Sequence, residues 1–204
     1  MSSVLRHWLA PADPIVDADM IFVLAGRPNR KRYALQLFRE GRAPQLVLST
    51  ARFEVRRFRE LPLPSPLDLL PVAAPVPPPE RHFFVTFRAG ETQAEIEKIR
   101  VCRFGTLREI EALAAYLAQR PEIRSVLAIT SAAHVRRVRM CCRALLPEGI
   151  QFRIAAVPED AESVPGAPHG EETESSLEIA TELVKLLGYS VLLAIHRGPR
   201  VKQS

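Results

Sequence analysis

Residues 18–50 read ADMIFVLAGRPNRKRYALQLFREGRAPQLVLST, and this stretch sets the class of fold. An apolar run over 18–25 stops at Gly26, which is typical of a strand buried on both faces. Apolar residues then recur at helical spacing over 30–40, and a second apolar run follows at 45–50. Strand, helix and strand in this order predict a βαβ unit with parallel strands and a right-handed crossover.

The rest of the chain continues this alternation. Further strands are predicted at 83–87, 125–129 and 152–157, and further helices at 106–119, 132–146 and 174–187. Residues 89–100 fit either a short helix or an extended edge hairpin. We therefore expect a doubly wound α/β fold with a mainly parallel sheet of about five strands. In such sheets ligands bind beyond the carboxyl ends of the strands, which directs attention to the loops after Ala25, Thr50, Phe87 and Ile129.

A proline-rich segment interrupts the pattern. Eight of the 18 prolines lie between Pro62 and Pro79, a density that excludes a central strand or a regular helix. We expect a surface excursion over 61–80 with polyproline character. Four arginines precede it, at Arg52, Arg56, Arg57 and Arg59.

Composition excludes several classes of protein. The chain has 204 residues, of which 47% are hydrophobic and 25% charged, so disorder or a coiled coil over the whole chain is excluded. The length fits one domain over 1–204, although two small ones also fit. A net charge of +5 allows anionic ligands and is no nucleic-acid signature by itself.

Apolar run lengths and cysteine spacing indicate the location and metal content of the protein. No apolar run is long enough for a membrane span, and residues 1–10 hold no apolar signal core. The three cysteines form an odd count and show no zinc spacing. We expect a reduced, cytoplasmic setting, no transmembrane segment and no metal.

The sharpest candidate site is the stretch TSAAHVRR over residues 130–137, where a buried strand meets a helix. Ser131 is placed to cap that helix, with His134 in its first turn and Arg137 one turn further on the same side. Together with Thr130 these groups suit a phosphate or carboxylate at a helix N-terminus. A capped helix with a surface histidine and a basic outer face explains the same residues without a ligand.

The loop after the first strand is the second candidate. Gly26 lets the backbone approach a ligand, and Arg30 can clamp an anion with two hydrogen bonds. Asn29 is a possible cap for the helix that follows. Neither a dinucleotide fingerprint nor a phosphate-binding Walker loop is present. An ordinary strand-to-helix turn is the competing interpretation.

Three weaker candidates complete the set. Thr106 and Glu109 have the spacing of a capping box, Ser49 follows a strand, and Glu182 with Lys185 fits a surface ion pair.

The order of these motifs resembles the domain of unknown function 218, the YdcF/SanA/ElyC-like family. The resemblance covers roughly residues 18–189. It is carried by Arg30 with the helix–Gly41-x-Ala43-Pro44–strand–Ser49 pattern, by Thr106-x-x-Glu109, by Thr130-Ser131-x-x-His134-x-x-Arg137 and by Glu182-x-x-Lys185.

The resemblance implies a Rossmann-like three-layer α/β/α sandwich, a link to bacterial envelope formation, and S-adenosylmethionine as a possible ligand. It also implies that one cleft gathers the motif residues Gly26, Arg30, Thr106, Glu109, Ser131, His134, Arg137 and Glu182. An established reaction does not come with the family, so whether this chain is an enzyme stays open.

Three hypotheses follow. The first is a site for a small anionic or nucleotide-type ligand, S-adenosylmethionine or a phosphorylated envelope precursor. In it His134 is the acid/base group or a donor to phosphate, and Glu109 orients either His134 or a ligand hydroxyl. The second is a non-enzymatic envelope-associated or regulatory module, peripheral to the membrane, that binds through the arginines and the proline-rich segment. The third, a methyltransferase, is disfavoured because no glycine-rich first loop is followed by an acidic residue after the second strand.

Overall fold

The computed structural model describes residues 12–100 and 105–158 and the single residues 185, 188 and 189. The strands in this part of the chain are β1 (Met20–Val23), β2 (Gln45–Ala51), β3 (His82–Arg88), β4 (Glu95–Lys98), β5 (Ser125–Thr130) and β6 (Gln151–Ala156). Its α-helices are α1 (Pro28–Arg39), α2 (Leu70–Ala73), α3 (Gly105–Ala118) and α4 (Val135–Leu145). Short 3-10 turns span Val55–Glu60, Pro78–Glu80 and Ala132–His134. The helix predicted at 174–187 lies outside the described residues, apart from Lys185.

The strands form one sheet in the order β4-β3-β2-β1-β5-β6. The pairs β1–β2, β1–β5 and β5–β6 are parallel, whereas β2–β3 and β3–β4 are antiparallel. The α/β class and the predominance of parallel pairing are confirmed. The sheet has a sixth strand because residues within the ambiguous stretch 89–100 form the edge hairpin and not a helix.

Helices pack on both faces of this sheet. Side chains of α3 and α4 cover one face, and α1 covers the other. Met20 and Phe22 of β1 face the first layer, while Ile21 and Val23 face the second, and all four are fully buried. This two-sided burial is the reason that β1 reads as a continuous apolar run.

Most residues of the proline-rich segment 61–80 are exposed, as in a surface excursion, while three apolar side chains anchor it to the core. Leu61, Leu69 and Ala73 are buried against the face of the sheet that α1 covers. The single turn of α2 also shows that a helical turn forms there, with Pro71 inside it where a missing N–H costs nothing. Burial of these apolar side chains outweighs the extended preference of the flanking prolines.

The topology fixes which loops share an edge. The chain leaves β1 towards β2 on one side, while β5 lies on the other side, so the carboxyl ends of β1 and β5 flank a switch point. The expectation that the loop after Phe87 faces this edge is wrong, because β3 is antiparallel to β2. The amino end of β3, His82, lies there instead, paired with Ala51 at the carboxyl end of β2.

No helix in the described ranges is both long enough and apolar enough to cross a membrane.

Candidate functional site

A buried arginine lies at the switch point. Arg30, from the first turn of α1, is only 5% exposed. Its Nε donates to Ser131 Oγ at 2.9 Å, and its Nη1 donates to the carbonyl oxygen of Ala25 at 2.9 Å. Both acceptors are neutral, and among the described residues Arg30 makes no ion pair. The guanidinium therefore bridges the end of β1 and the end of β5, and no carboxylate of residues 12–100 or 105–158 contacts it.

Burial lowers the pKa of Arg30 to about 10. The carboxylates of Glu109 and Glu54 oppose this shift from a distance, and the positive charge of Arg137 adds to it. A group with this pKa still carries its charge at neutral pH. The edge therefore holds two cations, Arg30 and Arg137, and the carboxylate of Glu109 offsets part of their charge.

The close contact between Gly26 and Arg30 depends on the absence of a side chain at position 26. Its φ is +139°, a conformation that residues with a side chain rarely adopt. A Cβ at this position would lie 2.8 Å from Arg30 Nη1 and 3.2 Å from its Cζ. The glycine at this position therefore lets the guanidinium lie directly against the backbone of the loop after β1.

His134 and Arg137 lie on the β5 side of the same edge. Arg137 Nη2 is 3.1 Å from His134 Nδ1. Since a guanidinium only donates, Nδ1 accepts and the proton of the neutral ring is on Nε2. Arg137 is also buried and lies 5.6 Å over the ring of Tyr189. The pair presents a cation and an N–H donor at the start of α4.

Two sequence expectations about helix ends are wrong at this edge. Ser131 precedes a 3-10 turn and makes no side-chain capping bond, because its Oγ accepts from Arg30. Helix α1 begins at Pro28, so Asn29 lies inside it, with its Oδ1 accepting the N–H of Arg30.

Thr130, the last residue of β5, is completely buried. Its Oγ1 has no hydrogen-bond partner in the described part of the chain. Such a group costs free energy and calls for a functional or structural explanation. Its position beside Ser131 adds a polar group to the switch point.

Glu109 does not cap α3, contrary to the capping-box prediction. Its buried carboxylate turns to the sheet, where Oε1 accepts the N–H of Ala25 at 2.8 Å and the hydroxyl of Ser49 at 2.5 Å. His82 Nε2 lies 3.6 Å from the same oxygen. Glu109 therefore contacts His82 and not His134, the residue that it was expected to orient. Burial raises the pKa of Glu109, but His82, Ser49 and the Ala25 N–H outweigh burial and hold that pKa below 4.5.

The Ser49–His82–Glu109 cluster is an anchor and not a nucleophile with its base. Ser49 Oγ lies 2.7 Å from His82 Nε2, but its own proton is directed to Glu109. His82 Nε2 must then donate to Ser49 and cannot accept its proton. All three side chains are buried. The cluster fixes the Ala25 backbone from one side while Arg30 fixes it from the other.

A second buried cation lies one residue after Arg30. Lys31 is 1% exposed, and its ammonium group forms an ion pair with Glu54. Burial lowers the pKa of Lys31, although Glu54 opposes the shift. The other oxygen of Glu54 accepts the N–H of Ala51 at 2.9 Å. This pair ties α1 to the end of β2.

Beside this pair lies a cavity of about 390 Å³. Its lining residues are Gly26, Pro28, Lys31, Phe53, Glu54, Arg57, Phe58 and Leu61. Gly26 thus borders both the cavity and the Arg30 guanidinium. The cavity lies at the carboxyl edge of β1 and β2, where ligands bind in sheets of this kind.

The remaining predicted residues fall as follows. Thr106 lies beside Tyr189, the residue whose ring the Arg137 guanidinium faces. Glu182 lies outside the described residues, and Lys185 is exposed on a helix. Cys141 and Cys142 are buried, and burial raises the pKa of Cys141 to about 12, as expected for structural thiols.

Four further residues at this edge were not predicted as site residues from the sequence: Lys31, Phe53, Glu54 and His82. The one available signal was for His82, a polar residue directly before an apolar strand. The described residues contain no cluster of three or more His, Cys, Asp or Glu side chains that would hold a metal ion.

Comparison with known proteins yields no family model, no curated protein and no solved structure that matches this chain. The resemblance to the domain of unknown function 218 therefore stays a prediction, and the site's chemistry is the basis for a functional proposal.

Proposed function

We propose that this chain binds a small anionic molecule at the carboxyl edge of its sheet, with Arg30 as the principal cation. The observation that carries the proposal is the burial of this guanidinium against neutral acceptors, without an ion pair in the described part of the chain. A buried charge without a counter-charge costs free energy, and a bound anion repays that cost.

The groups around Arg30 support the same interpretation. Ser131 holds the guanidinium, Arg137 adds positive charge, and His134 supplies an N–H donor through the tautomer that Arg137 selects. Gly26 lets the guanidinium lie directly against the loop after β1. An acid/base role for His134 requires its Nδ1, which accepts from Arg137, so we propose the ring as a hydrogen-bond donor to the ligand and not as a proton-exchanging group.

The proposal also covers the class of ligand and the architecture of the fold. Phosphate and carboxylate groups both match the planar donors of a guanidinium. A phosphorylated envelope precursor and S-adenosylmethionine, through its carboxylate, both meet this requirement. A Rossmann-like three-layer sandwich is the proposed architecture, supported by helices on both faces of the sheet and by the switch point beside β1.

A thermal-shift screen tests the proposal. The panel contains S-adenosylmethionine, S-adenosylhomocysteine, nucleotides, sugar nucleotides, polyprenyl-phosphate analogues and pyrophosphate. A ligand at about 100 times its Kd stabilises the protein by about 2.7 kcal/mol, which is a clear shift in Tm.

Two variants make the screen specific to the site. Arg30→Met should remove the shift of any ligand that binds there. Arg32→Gln, on the same helix and partly exposed, should leave it unchanged. An identical ligand response in wild type and Arg30→Met contradicts the proposal.

The four exposed arginines support a second candidate function, the interaction module. Arg52, Arg56, Arg57 and Arg59 are all exposed, and none forms an ion pair with a described residue. A cluster of this kind suits an anionic membrane surface. Co-sedimentation should then occur with vesicles that contain anionic lipid and be absent with purely zwitterionic ones. Replacing all four by Gln should abolish it, and unchanged sedimentation would exclude this function.

A further inference from the structure

We infer that the ligand of the Arg30 site is a two-part molecule, an anionic group joined to a flat aromatic ring, and that the ring occupies the cavity beside Gly26. This inference rests on the proposed function, because it takes Arg30 as the cation for the anionic group. It adds the class of molecule that the site selects.

Continuity of the two regions is the first argument. Gly26 borders the cavity, and the same residue lies against the guanidinium of Arg30. Because Gly26 has no side chain, the Arg30 guanidinium lies against the backbone of a residue that also lines the cavity. One ligand can therefore extend across the loop after β1 and use both.

The charges in the cavity are the second argument. Lys31 and Glu54 line it, but they neutralise each other in a buried ion pair. Arg57 also lines it, but Arg57 is exposed, so water screens its charge. The guanidinium outside the cavity has no such partner among the described residues. The anionic group of a ligand is thus favoured at Arg30, and the cavity is left for the uncharged part.

The walls of the cavity are the third argument. Phe58 and Leu61 provide a buried apolar wall, and Phe53 stands at the cavity with 70% of its surface exposed. In the described chain no other aromatic side chain is exposed to a comparable degree. An exposed phenyl ring beside an apolar pocket favours stacking with a second ring. A volume of about 390 Å³ lies within the usual range for small-molecule sites.

Calorimetric titrations with three probes test the inference. The probes are inorganic phosphate, 1-naphthyl phosphate and the uncharged 1-naphthol. They are applied to wild type, Arg30→Met, Phe53→Ala and Val72→Ala. Val72 is a matched control, because its side chain is also exposed and does not line the cavity.

The expected pattern separates the two parts of the ligand. Wild type should bind 1-naphthyl phosphate about tenfold or more tightly than inorganic phosphate. Phe53→Ala should remove that gain and leave the affinity for inorganic phosphate unchanged. Arg30→Met should weaken both phosphates about 30-fold. Val72→Ala should match wild type, and 1-naphthol should bind weakly to all four proteins.

The opposing results are distinguishable. Equal affinity for the two phosphates, both dependent on Arg30 and neither on Phe53, overturns the aromatic subsite and leaves the proposed function standing. Phosphate binding that is absent in wild type or unchanged in Arg30→Met overturns the proposed function itself. Binding of 1-naphthol as tight as that of its phosphate overturns the two-part ligand.

Discussion

Arg30 and Lys31 are neighbours on α1, both are almost completely buried, and both carry a positive charge, yet their surroundings differ. Lys31 contacts the carboxylate of Glu54. Arg30 contacts a hydroxyl and a backbone carbonyl oxygen. Consecutive helix positions point about 100° apart, so one side chain reaches the β2 side of the edge and the other the β5 side.

The difference separates a structural charge from a candidate binding charge. The Lys31–Glu54 pair is complete within the protein and ties two elements together. Arg30 has only distant support from Glu109 and Glu54. Four substitutions test this distinction by their effect on the free energy of unfolding.

The largest effect is expected for Lys31→Met. Removing the ammonium group leaves the carboxylate of Glu54 in a mostly buried position without its counter-charge. The free energy of unfolding should fall by about 3 kcal/mol in urea titrations. The double variant Lys31→Met/Glu54→Gln should recover most of the loss, because no charge is then left unpaired. A loss below about 1 kcal/mol would show that the pair is not a structural one.

Gly26→Ala should follow at about 2 kcal/mol, since a side chain is strained at a φ of +139° and its Cβ meets Arg30. Adding Arg30→Met removes the collision and should restore part of the loss. If the free energy of unfolding of the double variant equals that of Gly26→Ala, the collision with Arg30 does not cause the loss.

Glu109→Gln tests the anchor on the other side of Ala25. The pKa of Glu109 is lower in the folded protein than its ordinary value of 4.5, so its stabilisation is present above that value. This stabilisation is lost as the pH falls through the folded pKa. At pH 7 the variant should be about 1.5 kcal/mol less stable than wild type, and the difference should shrink towards pH 3. A difference that is constant across this range would contradict the assignment.

Arg30→Met should have the smallest effect on stability, below about 1 kcal/mol. The lost hydrogen bonds to Ser131 and Ala25 are offset by removal of a buried charge that has no ion-pair partner among the residues the structure describes. Urea unfolding of Arg30→Met and Lys31→Met under the same conditions measures the difference between their losses of stability. A loss as large as that of Lys31→Met would make Arg30 a structural residue.

The sequence predicts well where burial leaves a periodic signal. Strands β1 and β2 and helix α1 follow from apolar runs and helical spacing, and their parallel pairing follows from the crossover rule. The direction of β3 does not follow, because the run Phe83–Phe87 reads the same in either direction. The direction of β3 decides which end of the strand lies at the site. Because β3 is antiparallel to β2, its amino end with His82 lies there.

The candidate site shows the same limit. That Arg30 and Ser131 share an edge follows from their places just after two predicted parallel strands, although they lie 101 residues apart. The role of Glu109 does not follow, since its spacing from Thr106 also fits a cap and only the packing of α3 on the sheet turns its carboxylate to Ala25. The cavity wall comes from a 3-10 turn and a proline-rich segment, which have no periodicity to read.

Crystals soaked in tungstate and analysed for anomalous scattering locate a bound anion without assuming its identity. We expect a tungsten peak at the carboxyl edge, with oxygens within about 3 Å of the Arg30 guanidinium, and no peak there in Arg30→Met crystals. Peaks confined to the exposed arginines of residues 52–59, with none beside Arg30, would contradict the assignment of Arg30 as the anion site.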